Sequence, residues 1–196
     1  MSMATSAFIF TLFGFLLGML PFSLWLANWS AGADLRQVGD GNPGATNAWR
    51  TGGWRAGLPA YLLDISKAAL PVGLAYYIFG LRGYQLIPVA LAPTLGHIFS
   101  PLLGGRGGKG LATILGVWIG ISLLELPAVI LSGLLLFRFL IQGDAWVILF
   151  TELWTLAYLL ALHPNPVWIL LFILHILLMA WTHRQGFLTA PILRRQ

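Results

Sequence analysis

Two short polar stretches in this chain carry residue types suited to holding an anion. The first, Gly39-Asp-Gly-Asn-Pro-Gly-Ala-Thr-Asn47, places three glycines in six positions beside two asparagines and a threonine. Glycines let a backbone turn sharply and bring N–H groups against a ligand at Gly41 and Gly44, and Asn42, Thr46 and Asn47 add side-chain hydrogen bonds. Arg36 lies close upstream, where a guanidinium fork beside backbone donors suits a phosphate. The same pattern, taken alone, also describes a turn between helices.

The second stretch, Gly104-Gly-Arg-Gly-Gly-Lys-Gly110, sets Arg106 and Lys109 among five glycines directly ahead of Leu111-Ala112-Thr113. If a helix opens there, its free N–H groups and positive dipole end add to the pull on an anion. A nucleotide P-loop is excluded by spacing: Leu103 stands where the first glycine is required, and Lys109 is followed by Gly110 instead of Ser or Thr. Asp64 and Lys67 are spaced to share one helical face, and an ionisable pair inside a membrane is costly unless paired or facing a polar cavity. His97 and His183 fall at the same predicted face as the two loops, His163 at the other, and His175 in mid-segment. The chain has no cysteine and no His, Asp and Glu set with metal-ligand spacing. Nor is any histidine followed four residues on by an aspartate, so neither a metal, a cofactor nor a protein general base is expected.

These residues must be positioned by membrane helices. Of 196 residues, 58% are hydrophobic and 9% charged, and the mean hydropathy is +0.83, values that exclude an ordinary soluble domain. Apolar stretches run over 7–28, 58–79, 84–103, 111–124, 126–141, 145–162 and 166–181, giving an all-α membrane protein with a bundle of seven transmembrane helices. The fourth and fifth are short and read as tilted, buried among neighbours or re-entrant. The N-terminal stretch lacks the basic start of a secretory signal and reads as a retained span. With no long linker and no repeat, residues 1–196 read as a single domain.

Basic residues fix the expected orientation. Arg36, Arg50, Arg55, Arg106, Lys109, Arg138, Arg184, Arg194 and Arg195 fall on one face and Arg82 on the other. The positive-inside rule then puts the N-terminus outside, the C-terminus in the cytoplasm and both glycine loops on the cytoplasmic side of a multi-pass inner (plasma) membrane protein.

The motifs carrying these residues resemble those of the acyl-phosphate-dependent glycerol-3-phosphate acyltransferases, the PlsY family, over nearly the whole chain. That family's Asp-hydrophobic-Arg followed by Gly-Ser-Gly-Asn-x-Gly-Ala-Thr-Asn is matched from Asp34 to Asn47, with Asp40 at the serine position. Its Asp-x-x-Lys-Gly appears as Asp64, Lys67 and Ala68, and its Gly-His then Gly-Gly-Lys-Gly-Val-Ala-Thr as Gly96, His97 and 107–113 with Leu111 for valine. The resemblance implies transfer of a fatty acyl group from acyl phosphate to sn-glycerol 3-phosphate, giving 1-acylglycerol 3-phosphate and phosphate for phospholipid synthesis. It implies substrate binding by Arg36, Gly41, Asn42, Gly44, Thr46, Asn47, Asp64, Lys67, His97, Gly108, Lys109, Thr113 and His183. No catalytic side chain is implied, since a substrate phosphate is thought to accept the proton. The partners implied are the two substrates and the bilayer, with no nucleic acid; the oligomeric state is left open.

Three departures keep two other readings alive. Asp40 replaces a serine of the phosphate loop, Gly186 replaces an asparagine after His183 and Arg184, and the segment after Arg138 has no serine. A carboxylate at 40 repels a phosphate unless Arg36 or another cation neutralises it. The alternatives are a diverged, non-catalytic membrane protein that binds a lipid phosphate or stabilises a partner, and an acyltransferase with another acceptor.

Overall fold

The structure is a computed structural model that describes residues 2–194, so Arg195 of the basic tail lies outside the described residues. Among the described residues eight α-helices follow in order: α1 Met3–Gly18, α2 Phe22–Ala31, α3 Ala45–Gly73, α4 Leu86–Ile98, α5 Leu111–Ser122, α6 Glu125–Leu140, α7 Asp144–Leu162 and α8 Pro166–Thr182. Among the described residues, four helical segments are long and apolar enough to cross a membrane: Met3–Ala31, Ala45–Ile78, Gly83–Leu103 and Asp144–Leu162. Helices Leu111–Ser122 and Pro166–Thr182 are apolar but shorter.

The seven apolar stretches become eight helices because the first is interrupted. Proline 21 lacks an N–H and its ring blocks a continuing helix, so α1 stops at Gly18 and α2 starts at Phe22. Carbonyls freed by the break are taken by side chains from elsewhere: Ser100 Oγ donates to Met19 O at 2.6 Å and Lys67 Nζ to Leu20 O at 2.9 Å. Backbone groups away from water require such partners.

Helix α3 also departs from expectation. It opens at Ala45, well before residue 58, because Gly52 and Gly53 mark a kink and not an end: Gly53 adopts φ 61° and ψ −153°, and helix continues on both sides. Arg50 and Arg55 therefore ride on α3 and not in a loop. Asp64 and Lys67 lie several turns from its start.

The chain divides into two compact units, Met1–Ile121 and Ser122–Gln196. In the first, glycines let helices approach closely, as small residues do in lipid. A Cβ at Gly18 would overlap the Pro93 backbone of α4, and one at Gly96 would overlap the Phe15 carbonyl of α1. A Cβ at Gly116 of α5 would likewise meet the Ile65 carbonyl of α3.

In the second unit, α6 to α8 are joined by a two-residue antiparallel ladder, β1 Ile141–Gln142 with β2 Ile192–Leu193. Glu125 Oε1 accepts from Tyr158 Oη at 2.8 Å and lies 2.5 Å from His163 Nε2, tying the start of α6 to the end of α7. Gly186 has a steric reason: an added Cβ would stand 2.6 Å from Ala145 Cβ.

Candidate anion-binding site

The first glycine loop is built from Leu35 outward. Leu35 is fully buried with Ala27, Ala45, Ala48, Ala56 and Ala60, which pins the loop to α2 and α3. Burial of one such side chain contributes about 1.5–3 kcal/mol. Beyond it, Gly39 and Gly41 adopt φ 59° and 71°, a left-handed conformation that favours glycine. Asn47, itself buried, braces the turn: its Nδ2 donates to Val38 O at 3.1 Å, Asp40 Oδ1 at 2.8 Å and Asn42 O at 3.0 Å. Arg50 Nη1 donates to Asn47 Oδ1 at 3.3 Å, so this arginine supports the loop as well as contributing charge.

Three of the loop's N–H groups are bonded within it. Gly41 N donates to Val38 O, Gly44 N to Asn42 O, and Asn42 N to Asp40 Oδ1 at 3.3 Å. The expectation that backbone donors at Gly41 and Gly44 would face a ligand therefore does not describe this state. The second loop behaves alike: Gly107 N donates to Ile98 O at 2.9 Å and Gly108 N to His97 O at 3.1 Å, closing the end of α4. A Cβ at Gly108 would overlap the His97 imidazole, which explains glycine there. Thr113 is fully buried and its hydroxyl donates to Gly110 O at 2.8 Å, supporting the start of α5 from within.

What the two loops present outward is charge. Lys109 Nζ reaches Asp40 Oδ2 at 2.6 Å, across 69 residues of sequence. Burial pushes the Asp40 carboxyl up, but the hydrogen bonds from Lys109 and Asn47, the Lys109 charge and the Asn42 N–H outweigh it and hold it at about 2, below its usual 3.8. The cation that neutralises Asp40 is thus Lys109. Arg36 serves its neighbour instead: Nε and Nη2 donate to the Asp34 carboxylate at 2.7–3.0 Å, and Asp34 also caps the Arg36 N–H at 3.0 Å. The side-chain hydrogen bond from Arg36 lowers the Asp34 carboxyl and raises the guanidinium in turn.

Deeper in the same unit lies a buried ionic cluster. Lys67 Nζ stands 2.7 Å from Asp64 Oδ1 and 2.9 Å from His97 Nδ1, while Ser23 Oγ donates to Asp64 Oδ2 at 2.6 Å. A lysine donor at Nδ1 leaves the His97 ring proton on Nε2, the nitrogen turned toward Gly108. The cluster and the cationic loop are therefore continuous: His97 links Lys67 to the residue preceding Lys109.

The structure thus brings together Asn42, Asn47, Gly108 and Lys109 through Asp40 and His97, with Asp64 and Lys67 behind. Thr46 pairs its hydroxyl with Tyr61 Oη at 2.8 Å. His183 belongs to the second unit, where its Nδ1 lies 3.0 Å from Met179 O and from Thr182 Oγ1. Sequence reasoning missed Ser23, Tyr61 and Glu152. Ser23 sits just past the helix-breaking Pro21, a signal that could have marked it. Glu152 is an acidic residue inside an apolar stretch, buried in α7, and its Oε2 has no hydrogen-bond partner among the described residues.

With this geometry in place, comparison with known proteins is decisive. Residues 8–189 match the profile of the family described as glycerol-3-phosphate acyltransferase. The chain belongs to that family. It is 44% identical over 113 residues to a glycerol-3-phosphate acyltransferase of Leptospira borgpetersenii serovar Hardjo-bovis (strain JB197), covering 57% of this chain and 51% of that one. A counterpart from Geotalea daltonii is 40% identical over 135 residues, 69% of this chain and 66% of the relative. The aligned part spans about half the length of the Leptospira relative, 51%. Whole-chain likeness comes from structure: a crystal structure of PlsY (YgiH), an integral membrane glycerol 3-phosphate acyltransferase in its glycerol 3-phosphate form, superposes with a TM-score of 0.81 at 31% identity, covering 93% of this chain and 90% of that one. The lysophosphatidic acid form of the same protein gives a TM-score of 0.80 at 28% identity.

Proposed function

We propose that this chain transfers a fatty acyl group from acyl phosphate to sn-glycerol 3-phosphate in phospholipid synthesis. The observation that carries the reading is the meeting of the two glycine loops at Lys109 and Asp40, 2.6 Å apart, in a chain of this family. That meeting sets a cation beside a polar loop in the unit that also holds three of the four apolar segments long enough to cross a membrane.

In this reading Lys109 holds a substrate phosphate, Asn42 and Thr46 line the path to it, and Arg36 completes the phosphate contacts. Asn47 holds the first loop's shape, Gly41 and Gly44 set its backbone, Gly108 and Thr113 set that of the second loop, and the Asp64, Lys67 and His97 cluster fixes the floor. The glycerol hydroxyl attacks the acyl carbonyl, the acyl–oxygen bond to phosphate breaks, and the departing phosphate takes the hydroxyl proton. Positioning and charge supply the rate enhancement, with no protein base. The whole chain acts as one seven-span domain of the inner membrane, N-terminus outside and C-terminus cytoplasmic, its site facing the cytoplasm, a reading supported by the distribution of Lys and Arg.

Purified protein mixed with acyl phosphate and glycerol 3-phosphate is expected to release phosphate and form 1-acylglycerol 3-phosphate, and Lys109→Ala to lose most of that turnover while remaining folded. Absence of release with any acceptor refutes the transferase reading. Asp40 favours a second reading, an acceptor other than glycerol 3-phosphate, which release with a hydroxyl or amine lacking phosphate would single out.

A further inference from the structure

The Asp40–Lys109 contact has a built character that a chance surface pair lacks. One carboxylate oxygen, Oδ1, is fixed by Asn47 Nδ2 at 2.8 Å and by the Asn42 N–H at 3.3 Å, and Asn47 is itself buried. This leaves Oδ2 facing Lys109 Nζ at 2.6 Å. The lysine and aspartate side chains are 36% and 45% exposed, so the pair is open to solvent and to an incoming solute. An anion is thereby held where an oxygen of a bound phosphate would meet the cation.

We propose that Asp40 is the specificity-setting residue of this loop pair, an internal counter-anion that occupies Lys109 and must be displaced before a phosphate-bearing ligand takes the cation. Ligand binding is then an exchange of one oxyanion for another. A phosphate entering the site must break the ion pair and still face a carboxylate tethered by Asn47 and Asn42. Both effects weaken phosphate binding and hasten phosphate loss. The same arrangement restricts Lys109 to ligands that outcompete a carboxylate, favouring a dianionic phosphate over monoanionic carboxylates. Solvent exposure limits the effect: such pairs are worth about 1 kcal/mol at most, roughly five-fold in affinity.

The inference rests on the acyl-transfer reading only for its kinetic arm. Isothermal titration of purified protein with inorganic phosphate, and separately with glycerol 3-phosphate, compares the native chain with Asp40→Asn and Asp40→Ser. Asp40→Asn keeps an oxygen acceptor for Asn47 and Asn42 and removes only charge. It is expected to tighten the Kd for phosphate by about two- to five-fold and to steepen the loss of binding with added salt, with Asp40→Ser behaving alike. In a Lys109→Gln background the gain should vanish. If acyl transfer is observed, KM for glycerol 3-phosphate falls in Asp40→Asn more than kcat changes. Unchanged or weaker phosphate binding in both folded variants, the same gain in the Lys109→Gln background, or no binding to any form overturns the proposal. Absence of turnover with tighter binding overturns the transferase reading and leaves the exchange standing.

Discussion

Replacing Lys67 with methionine tests whether the buried cluster is held by charge pairing. The lysine and Asp64 side chains are 1% and 2% exposed and their charged atoms lie 2.7 Å apart. At an effective dielectric constant of about 20 the direct attraction is about 6 kcal/mol, against which the cost of taking both charges out of water must be set. Loss of one partner is a different matter, since the remaining charge stays buried. In the Lys67→Met protein Asp64 keeps Ser23 but loses its cation, His97 Nδ1 loses its partner, and Leu20 O keeps only the Phe22 N–H at 3.1 Å. A destabilisation of about 3–5 kcal/mol is expected. The double variant Asp64→Asn, Lys67→Met carries no buried charge and should recover most of that loss, ending within about 1–2 kcal/mol of the native chain. Reversible unfolding in mixed micelles, followed by tryptophan fluorescence, reads both. A single-variant cost below about 1 kcal/mol, or a double variant no more stable than the single, would refute charge pairing as the reason these residues coexist.

Three further expectations concern other positions. Glu152→Leu should leave stability unchanged or raise it in the same unfolding assay, because a buried carboxyl lacking a hydrogen-bond partner at one oxygen is costly in lipid; a large loss would show an unseen structural role. The Asp40 carboxyl, lowered to about 2 from 3.8, contributes stability that is fully present above about pH 4 and lost as pH falls through 2; a carboxyl resonance for Asp40 titrating at or above the usual value would contradict the ion pair. Gly186→Asn should destabilise the second unit by about 1–3 kcal/mol by forcing a side chain against Ala145, measured as a lowered Tm; an unchanged Tm would show that the turn yields freely.

Much of this architecture could be read from residue types. Apolar runs marked the helices because burial in lipid needs long uncharged stretches, and glycine with cation marked the loops. Misreadings arose where one signal had two meanings. Gly52-Gly53 reads as an end to helix, yet α3 passes through it with only Gly53 out of helical conformation, since packing on both sides holds the element together. Pro21 was hidden inside an apolar run that hydropathy alone treats as one span. The partner of Asp40 could not be read either: Arg36 is nearer in sequence, but Asp34 claims it, and Lys109 arrives from a different connection. Asn47, a candidate ligand by type, turned out to brace its own loop through bonds to residues 38, 40 and 42.

The interrupted first segment has a consequence for the order in which the chain matures. During synthesis residues 19–21 reach the bilayer before Lys67 and Ser100 exist to take the carbonyls of Leu20 and Met19. Leu20 O has a local donor in the Phe22 N–H at 3.1 Å, whereas the Met19 carbonyl needs one from elsewhere in hydrocarbon. The native hydrogen bonds of the first segment are therefore complete only once the chain through residue 100 is present. Ser100 opens the turn that leads to the cationic loop, so the residue that closes the break in the first segment also begins the connection that carries Lys109.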